Sequence, residues 1–320
     1  MEEIAIGEIN NFKIGNAQDL QGGTGCTAIV CPQGAFAGVD VRGGAPATRE
    51  TDLLNPVNMV EQIHCVMLSG GSAFGLAAAD GAMTYLEESN IGFDVGVGKV
   101  PIVVSACLFD LIVGNPQCRP TAAMGYEALV NAEKNSPREG CVGAGTGATV
   151  GKLKGSEFAM KSGLGIYAAA VGNLKVGAIV AVNALGNVLD VETTKPLAGL
   201  LNESKTAVVS TRQALYAMAE QSFNVFNGNT TIGCIITNAR LNKSQCAKVA
   251  AMSHNGYART IHPVHTTADG DTAFVMACGE VECHLDVVGT LSAAVMAQAV
   301  NRAVTQSSSA YGFLAARDLP

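Results

Sequence analysis

This sequence predicts a layered α/β fold, and three observations carry the prediction. Long apolar strands alternate along the chain with helix-length segments, the pattern of sheets covered by helices. With 320 residues, 48% hydrophobic and only 15% charged, the chain has ample side-chain material for a deep core. That length suits one large domain or two ordinary ones, and since neither a linker nor an internal repeat divides the sequence, one domain over 1–320 is expected.

Residues 21–42 read as a hairpin, with CTAIV and AFAGVDV as strands and Pro32-Gln33-Gly34 as the turn. The polar loop Gly43 to Pro56 follows, and a short helix is expected from Val57. Ile63 to Leu68 is an apolar strand running into Ser69-Gly70-Gly71-Ser72 and the helix AFGLAAADGAMTYLEE. Strand, glycine turn and helix N-terminus can hold an anion. The loop has neither the lysine of a P-loop nor dinucleotide spacing, and its small residues serve equally to lay a helix close on a sheet.

Val100 to Val113 is strand-like and Thr121 to Lys134 helical, with Tyr126 near the start. Ser136 to Gly155 is a glycine-rich loop and strand carrying Lys152. Gly163 to Asp190 supplies two more long strands; Asn173, Lys175 and Asn183 interrupt its apolar run and argue against a membrane span. Residues 191–229 form a polar connection with one amphipathic helix, around Thr211 to Gln221. Strand 231–237, helix 242–257, strand 271–278 and a helix from Asp286 to about Thr305 complete the chain.

Composition excludes several roles. A formal net charge of -7, no Trp and few aromatics give nucleic acid neither an electrostatic nor a stacking surface. The acidic start MEEIAIGEINNF lacks the regions of a signal peptide. The ten cysteines are scattered, mostly within apolar runs, as buried thiols of a reducing cytoplasm would be, so a cytoplasmic location is expected. Cys26 with Cys31, and Cys278 with Cys283, lack zinc-finger spacing. His262 and His265 beside Asp269 and Asp271 suggest a metal cluster, yet His262-Pro263 fits a loop, with His265 positioning its neighbours.

The chemistry centres on Asn229-Thr230-Thr231-Ile232-Gly233. A polar, loop-like segment, Ser222 to Asn229, precedes it, and the apolar run Ile232 to Ile236 follows as a buried strand. In the plain reading Asn-Gly-Asn makes a turn and the threonines start the strand. In the other, Thr230 Oγ faces the Asn229 carbonyl, an N-to-O acyl shift gives an ester, and hydrolysis frees the Thr230 amine. An α-amine has a reference pKa near 8, so at neutral pH it can serve as base for its own hydroxyl.

Many ordered motifs favour the second reading: GGTGCTAIV at 22–30, GGAPATRETDLL at 43–54, LSGGSAFGL at 68–76, GYEA at 125–128 and GTGATVGK at 145–152. VNALG at 182–186, NTTIG at 229–233, TNA at 237–239 and PVHTTADGDTAF at 263–274 continue the series. Over nearly its whole length the chain resembles the self-cleaving L-aminopeptidase/D-esterase and β-aminopeptidase family, in particular its threonine branch, which includes nylon-oligomer hydrolases. The resemblance implies a four-layer αββα sandwich like that of the N-terminal-nucleophile hydrolases. It also implies a cut into fragments 1–229 and 230–320 and a homo-oligomer of such pairs; the enzyme is expected to need no cofactor or metal.

The same resemblance implies roles. Thr230 is the nucleophile; Asn183 donates to the oxyanion; Tyr126 points its hydroxyl into the site in support. Lys152 is a cation that lowers the amine's pKa, and Asp269 and Asp271 orient nucleophile and amine. The serine branch resembles Ser and Glu at those two positions, and Ala47 stands where the family usually has Gly. Each residue also has a plain reading: Lys152 snorkelling from a sheet edge, Tyr126 half-buried on a helix, Asn183 ending a strand. Asp269-Gly270-Asp271 is a good turn by itself, with Gly supplying an unusual φ. The expected function is release of N-terminal residues from short peptides, amides or esters through an acyl-threonine. Two rivals stand beside it: a self-cleaving acyltransferase of the ornithine acetyltransferase type, and an uncleaved anion-binding protein using SGGSAFG.

Overall fold

The computed structural model describes residues 1–219 and 228–320. The end of the helix expected at Thr211 to Gln221 and most of the Ser222 to Asn229 segment lie outside the described residues.

A ten-stranded mixed sheet dominates. Its principal strands are β1 (Glu2–Ile4), β2 (Lys13–Asp19), β3 (Thr24–Val41), β4 (Gln62–Ser69) and β5 (Val103–Cys107), followed by β6 (Leu164–Val171), β7 (Leu174–Asn183), β8 (Thr230–Ala239) and β9 (Thr272–Val281). The order is β1-β6-β7-β8-β9-β3-β4-β5, closed by the two-residue strand Thr48–Arg49, with β2 paired to β3. Neighbours run antiparallel except β8 with β9 and β4 with β5. The helices are α1 (Ala78–Glu88), α2 (Ala122–Ala132), α3 (Thr211–Tyr216), α4 (Lys243–Thr260) and α5 (Leu285–Thr305).

Because side chains alternate across a strand, each long strand serves two cores. On β7, β8 and β9, Val176, Val180, Ile235 and Val275 pack with Val249 and Tyr257 of α4 and Val295 and Met296 of α5. The opposite faces, Ile179, Ile232, Cys234, Ile236, Phe274 and Met276, meet Ile29 of β3, Val66 and Leu68 of β4 and Val104 of β5. The far faces of β3 and β4, Ala28, Val30 and Met67, pack under Ala79 and Leu86 of α1 and Leu129 of α2. The sheet therefore doubles back on itself, and the layers run helix, sheet, sheet, helix. That is the expected αββα sandwich.

The fold back is made by β3, where the sequence pointed to a hairpin. The chain does not reverse at Pro32-Gln33-Gly34; it continues as one strand of 18 residues. Val30 pairs with Cys65 and Ala35 with Ile63, so Cys31 to Gly34 bulge out of the ladder. Gly34 takes φ 84, a left-handed value open to glycine. The turn signal was real, but it bends the strand. The partner expected from AFAGVDV is instead β2, paired to Thr24–Val30.

Two more expectations are corrected. No helix starts at Val57: Val57 and Met59 are exposed, so no apolar face is buried to hold one, and the local element is a 3-10 turn at Asp52–Leu54. Within Val100 to Val113, the five residues Val103–Cys107 form the main strand.

Candidate active site

The end of β7 and the start of β8 bring the central residues together. Asn183, last in β7, stands opposite Thr230, first in β8. On the other flank β8 runs parallel to β9, and just ahead of that register Asn229 bridges to Asp269. The Asn229 N–H donates to the Ala268 carbonyl at 3.2 Å, and the Gly270 N–H donates to the Asn229 carbonyl at 2.9 Å. The Thr230 hydroxyl donates to that same Asn229 carbonyl oxygen. The peptide joining 229 to 230 is thus gripped from the Asp269-Gly270-Asp271 turn and covered by its own threonine hydroxyl, with Thr230 only 4% exposed.

Gly270 is required for space, since its φ is not positive. A Cβ there would lie 2.8 Å from Thr230 Oγ1 and 2.8 Å from the Ala45 carbonyl. The loop after β3 closes on the same turn: Arg42 N–H donates to Asp271 O at 3.0 Å and Ala45 N–H to Asp269 O at 2.8 Å. This accounts for the GGAP segment, because a Cβ at Gly43 would sit 2.3 Å from the Asp269 carbonyl oxygen.

Both aspartates are buried and hydrogen-bonded. Asp271 Oδ1 accepts the Thr231 N–H at 2.7 Å, and Oδ2 accepts the His265 backbone N–H at 3.0 Å and its ring Nδ1 at 2.9 Å. Asp269 Oδ2 accepts the Thr266 N–H at 3.0 Å and the Thr266 hydroxyl, and Oδ1 accepts the Leu185 N–H at 3.4 Å. Burial, then the nearby Asp271 charge, raises the Asp269 carboxyl above its ordinary range.

Lys152 is fully buried, and its Nζ donates to the Asn183 carbonyl at 3.0 Å, Asn183 Oδ1 at 2.8 Å and the Gly228 carbonyl at 3.3 Å. Burial brings its pKa down to about 7, against the pull of Asp269, Asp110 and Asp271. Its three donor bonds suit the ammonium form, and burial brings that form close to losing a proton near neutral pH. The Thr149 N–H reaches Asn183 Oδ1 at 3.0 Å, so two donors fix the orientation of that amide. Its Nδ2 donates to the Phe109 carbonyl at 2.9 Å and keeps a second N–H. Gly228, at φ 52, lies on Phe109, where a Cβ would come 2.2 Å from the ring.

Five of the six expected residues, Thr230, Asn183, Lys152, Asp269 and Asp271, are thus gathered. Tyr126 is not brought to them. It sits on α2 where its hydroxyl donates to Glu88 at 2.8 Å and its ring meets Tyr85 edge-on. The GYEA motif reflects packing there: a Cβ at Gly125 would lie 1.8 Å from the Ala78 carbonyl oxygen of α1. The anion site imagined at SGGSAFG is filled from within, since Gly71 N–H donates to Asp110 Oδ1 at 2.6 Å and Thr24 Oγ1 to Oδ2 at 2.7 Å. His262 and His265 do not build a metal centre: among the described residues no three potential ligands converge. His265 instead braces Asp271. Thr149, Thr266 and Asp110 were missed in sequence because a hydroxyl or carboxyl that bonds another polar group leaves no periodic mark; for Thr149 and Thr266, membership of GTGATVGK and PVHTTADGDTAF was the available signal.

Comparison with known proteins identifies relatives of the chain and of its fold. The model of peptidase family S58 matches residues 5–316. An uncharacterized aminopeptidase of Mycobacterium tuberculosis is 42% identical over 290 residues, 87% of this chain and 82% of its own. A 6-aminohexanoate-oligomer endohydrolase of a Kocuria species is 30% identical over 275 residues, covering 84% of this chain and 73% of that one. Among solved structures, an L-aminopeptidase D-Ala-esterase/amidase of Ochrobactrum anthropi, described as a variant of the Ntn hydrolase fold, superposes with TM-score 0.72 at 16% identity. It covers 95% of this chain and 86% of its own. A β-aminopeptidase of a Burkholderia species gives TM-score 0.67 at 17% identity over 94% and 86%. An Ntn-type αββα sandwich matched by the family model from end to end, this chain belongs to peptidase family S58.

Proposed function

We propose that this hydrolase matures by cutting its own Asn229–Thr230 bond and then works as an N-terminal-threonine aminopeptidase or amidase. The observation that carries the proposal is the Thr230 hydroxyl laid against the Asn229 carbonyl, whose oxygen the Gly270 N–H already holds at 2.9 Å. In maturation Oγ1 attacks the Asn229 carbonyl carbon, and negative charge gathers on the oxygen facing Gly270. Lys152, whose Nζ reaches the Gly228 carbonyl one residue before this bond and whose pKa burial lowers to about 7, is the group we assign, in its neutral amine form, to take the hydroxyl proton. The C–N bond breaks, the Thr230 nitrogen gains a proton, and an Asn229 ester on Oγ1 remains. Water hydrolyses that ester, leaving an Asn229 carboxylate and a free Thr230 amine. The Asn229 amide group favours the cut: among the described residues neither of its buried polar atoms has a partner, a cost of about 1–3 kcal/mol each that separation of the ends would relieve.

In the mature site the Thr230 amine takes the proton of Oγ1 as it attacks the substrate carbonyl. Asn183, its amide fixed by Lys152 and Thr149, presents its remaining N–H to the oxyanion. Asp271, bonded to Thr231 N–H and His265, holds the start of β8 in place. The acyl group passes to water. Substrates in this reading are short peptides, amides or esters, whose N-terminal residue is released.

Intact mass and denaturing electrophoresis of the purified chain beside Thr230→Ala test this. Wild type is expected as two fragments beginning at Met1 and Thr230, and the variant as one inactive chain. A wild type that stays whole on long incubation yet hydrolyses amino-acid p-nitroanilides refutes it.

A further inference from the structure

Most of the described cysteines are buried, and burial pushes thiols such as Cys26, Cys65 and Cys107 up. Cys278 moves the other way. It is half-buried near the end of β9, just past the pair formed by Ala277 with Phe36 of β3. Cys31, at the start of the β3 bulge, belongs to the sheet–sheet core, and Cys278 packs against that core. The Cys31 side chain lies close enough to Cys278 to lower its pKa, and the Gln33 amide Nε2 donates to Cys278 Sγ at 3.5 Å. These contacts, with Asn11, favour the Cys278 thiolate, while Cys31 is held protonated. Cys278 is partly exposed, and beside it a cavity of about 450 Å³ is lined by Asn10, Asn11, Phe12, Pro32 and Gln33, the last of which bonds Cys278.

We propose that Cys31 and Cys278 are a redox pair that closes to a reversible disulfide when a small disulfide such as oxidised glutathione enters this cavity. The Cys278 thiolate attacks one sulfur of that disulfide, whose S–S bond breaks, and one small thiolate leaves. Cys31 gives its proton to that leaving thiolate and attacks Cys278 Sγ, and the second small thiol is expelled. Two protein thiols are oxidised and one small disulfide is reduced to two thiols, so atoms and electrons balance. The half-buried thiol opens the reaction because it is the reachable one of the two; the buried one completes it because it belongs to the core against which Cys278 packs.

The pair has a second property, which rests on the proposed cut: Cys31 lies before residue 229 and Cys278 after it. Oxidation then ties together covalently two fragments that are otherwise joined by sheet hydrogen bonds and packing.

The test treats the folded wild type and the uncut Thr230→Ala chain with oxidised glutathione, blocks remaining thiols, and maps peptides without reduction. Both proteins are expected to yield a Cys31–Cys278 peptide pair lighter by about 2 Da than the two thiol peptides. In wild type the two fragments should migrate as one band that a reductant separates. Cys31→Ser is expected to stop at a glutathione adduct on Cys278, and Cys278→Ser to leave Cys31 a free thiol. The proposal is overturned if both cysteines are alkylated as free thiols after oxidation, or if wild type keeps the adduct without closing the bond. A wild type that forms the pair yet runs as one chain after reduction refutes the cut and leaves the disulfide standing.

Discussion

A lysine ammonium taken fully out of water gives up its proton readily, and Lys152 does so near 7 where an ordinary lysine holds it to 10.5. Between those values the unfolded chain binds one proton more at this position than the folded chain. Raising the pH across that window therefore stabilises the folded form through Lys152, by about 1.4 kcal/mol per pH unit. Lys152→Met removes this contribution. On the uncut Thr230→Ala background, urea denaturation should find the Met variant's stability relative to its parent highest at pH 7 or below, declining toward pH 9. A flat difference would mean that the lysine stays charged. At this scale the sequence was legible wherever a residue sits inside a motif and on the sheet end itself: Thr230, Asn183, Lys152, Asp269 and Asp271. Tyr126 shows the limit, for its motif carries a helix crossing at Gly125 and no chemistry that reaches Thr230.

The turn before β9 acts on the bond before β8, although the two are forty residues apart. Gly270 lends it both an N–H and an empty place where a methyl group would press on Thr230 Oγ1 at 2.8 Å. Gly270→Ala should therefore slow the proposed self-cleavage tenfold or more, about 1.4 kcal/mol or above in the barrier. The fold should survive, since the crowding costs about 1–3 kcal/mol. The fraction cut against time after synthesis, beside circular dichroism, checks this; unchanged cleavage in a folded variant would dismiss the role of the turn. Among the elements, strands and helices with clear alternation or 3.6-residue spacing were readable, α4 and α5 included. The continuity of β3 was not. Pro-Gln-Gly signals a change of direction, and whether the chain reverses or merely kinks is decided by β2 and β4, which offer Thr24–Val30 its partners from elsewhere in the sequence.

Over the whole molecule, β8 and β9 lie side by side in the middle of the sheet, with β7 on one flank and β3 on the other. Both flanking strands precede residue 229, and both central strands follow it. A cut at that point gives two polypeptides that share one sheet, each supplying what the other must pair with. Their loss of structure would release two chains, and their recovery would require a collision between them. Renaturation of the matured protein should then be second order, its yield rising with concentration and dominated by aggregation when dilute, while Thr230→Ala refolds with a yield independent of dilution. For a protein cut as proposed, endurance would become a matter of how slowly it comes apart: made once, as a single chain, it would last as long as its unfolding barrier allows.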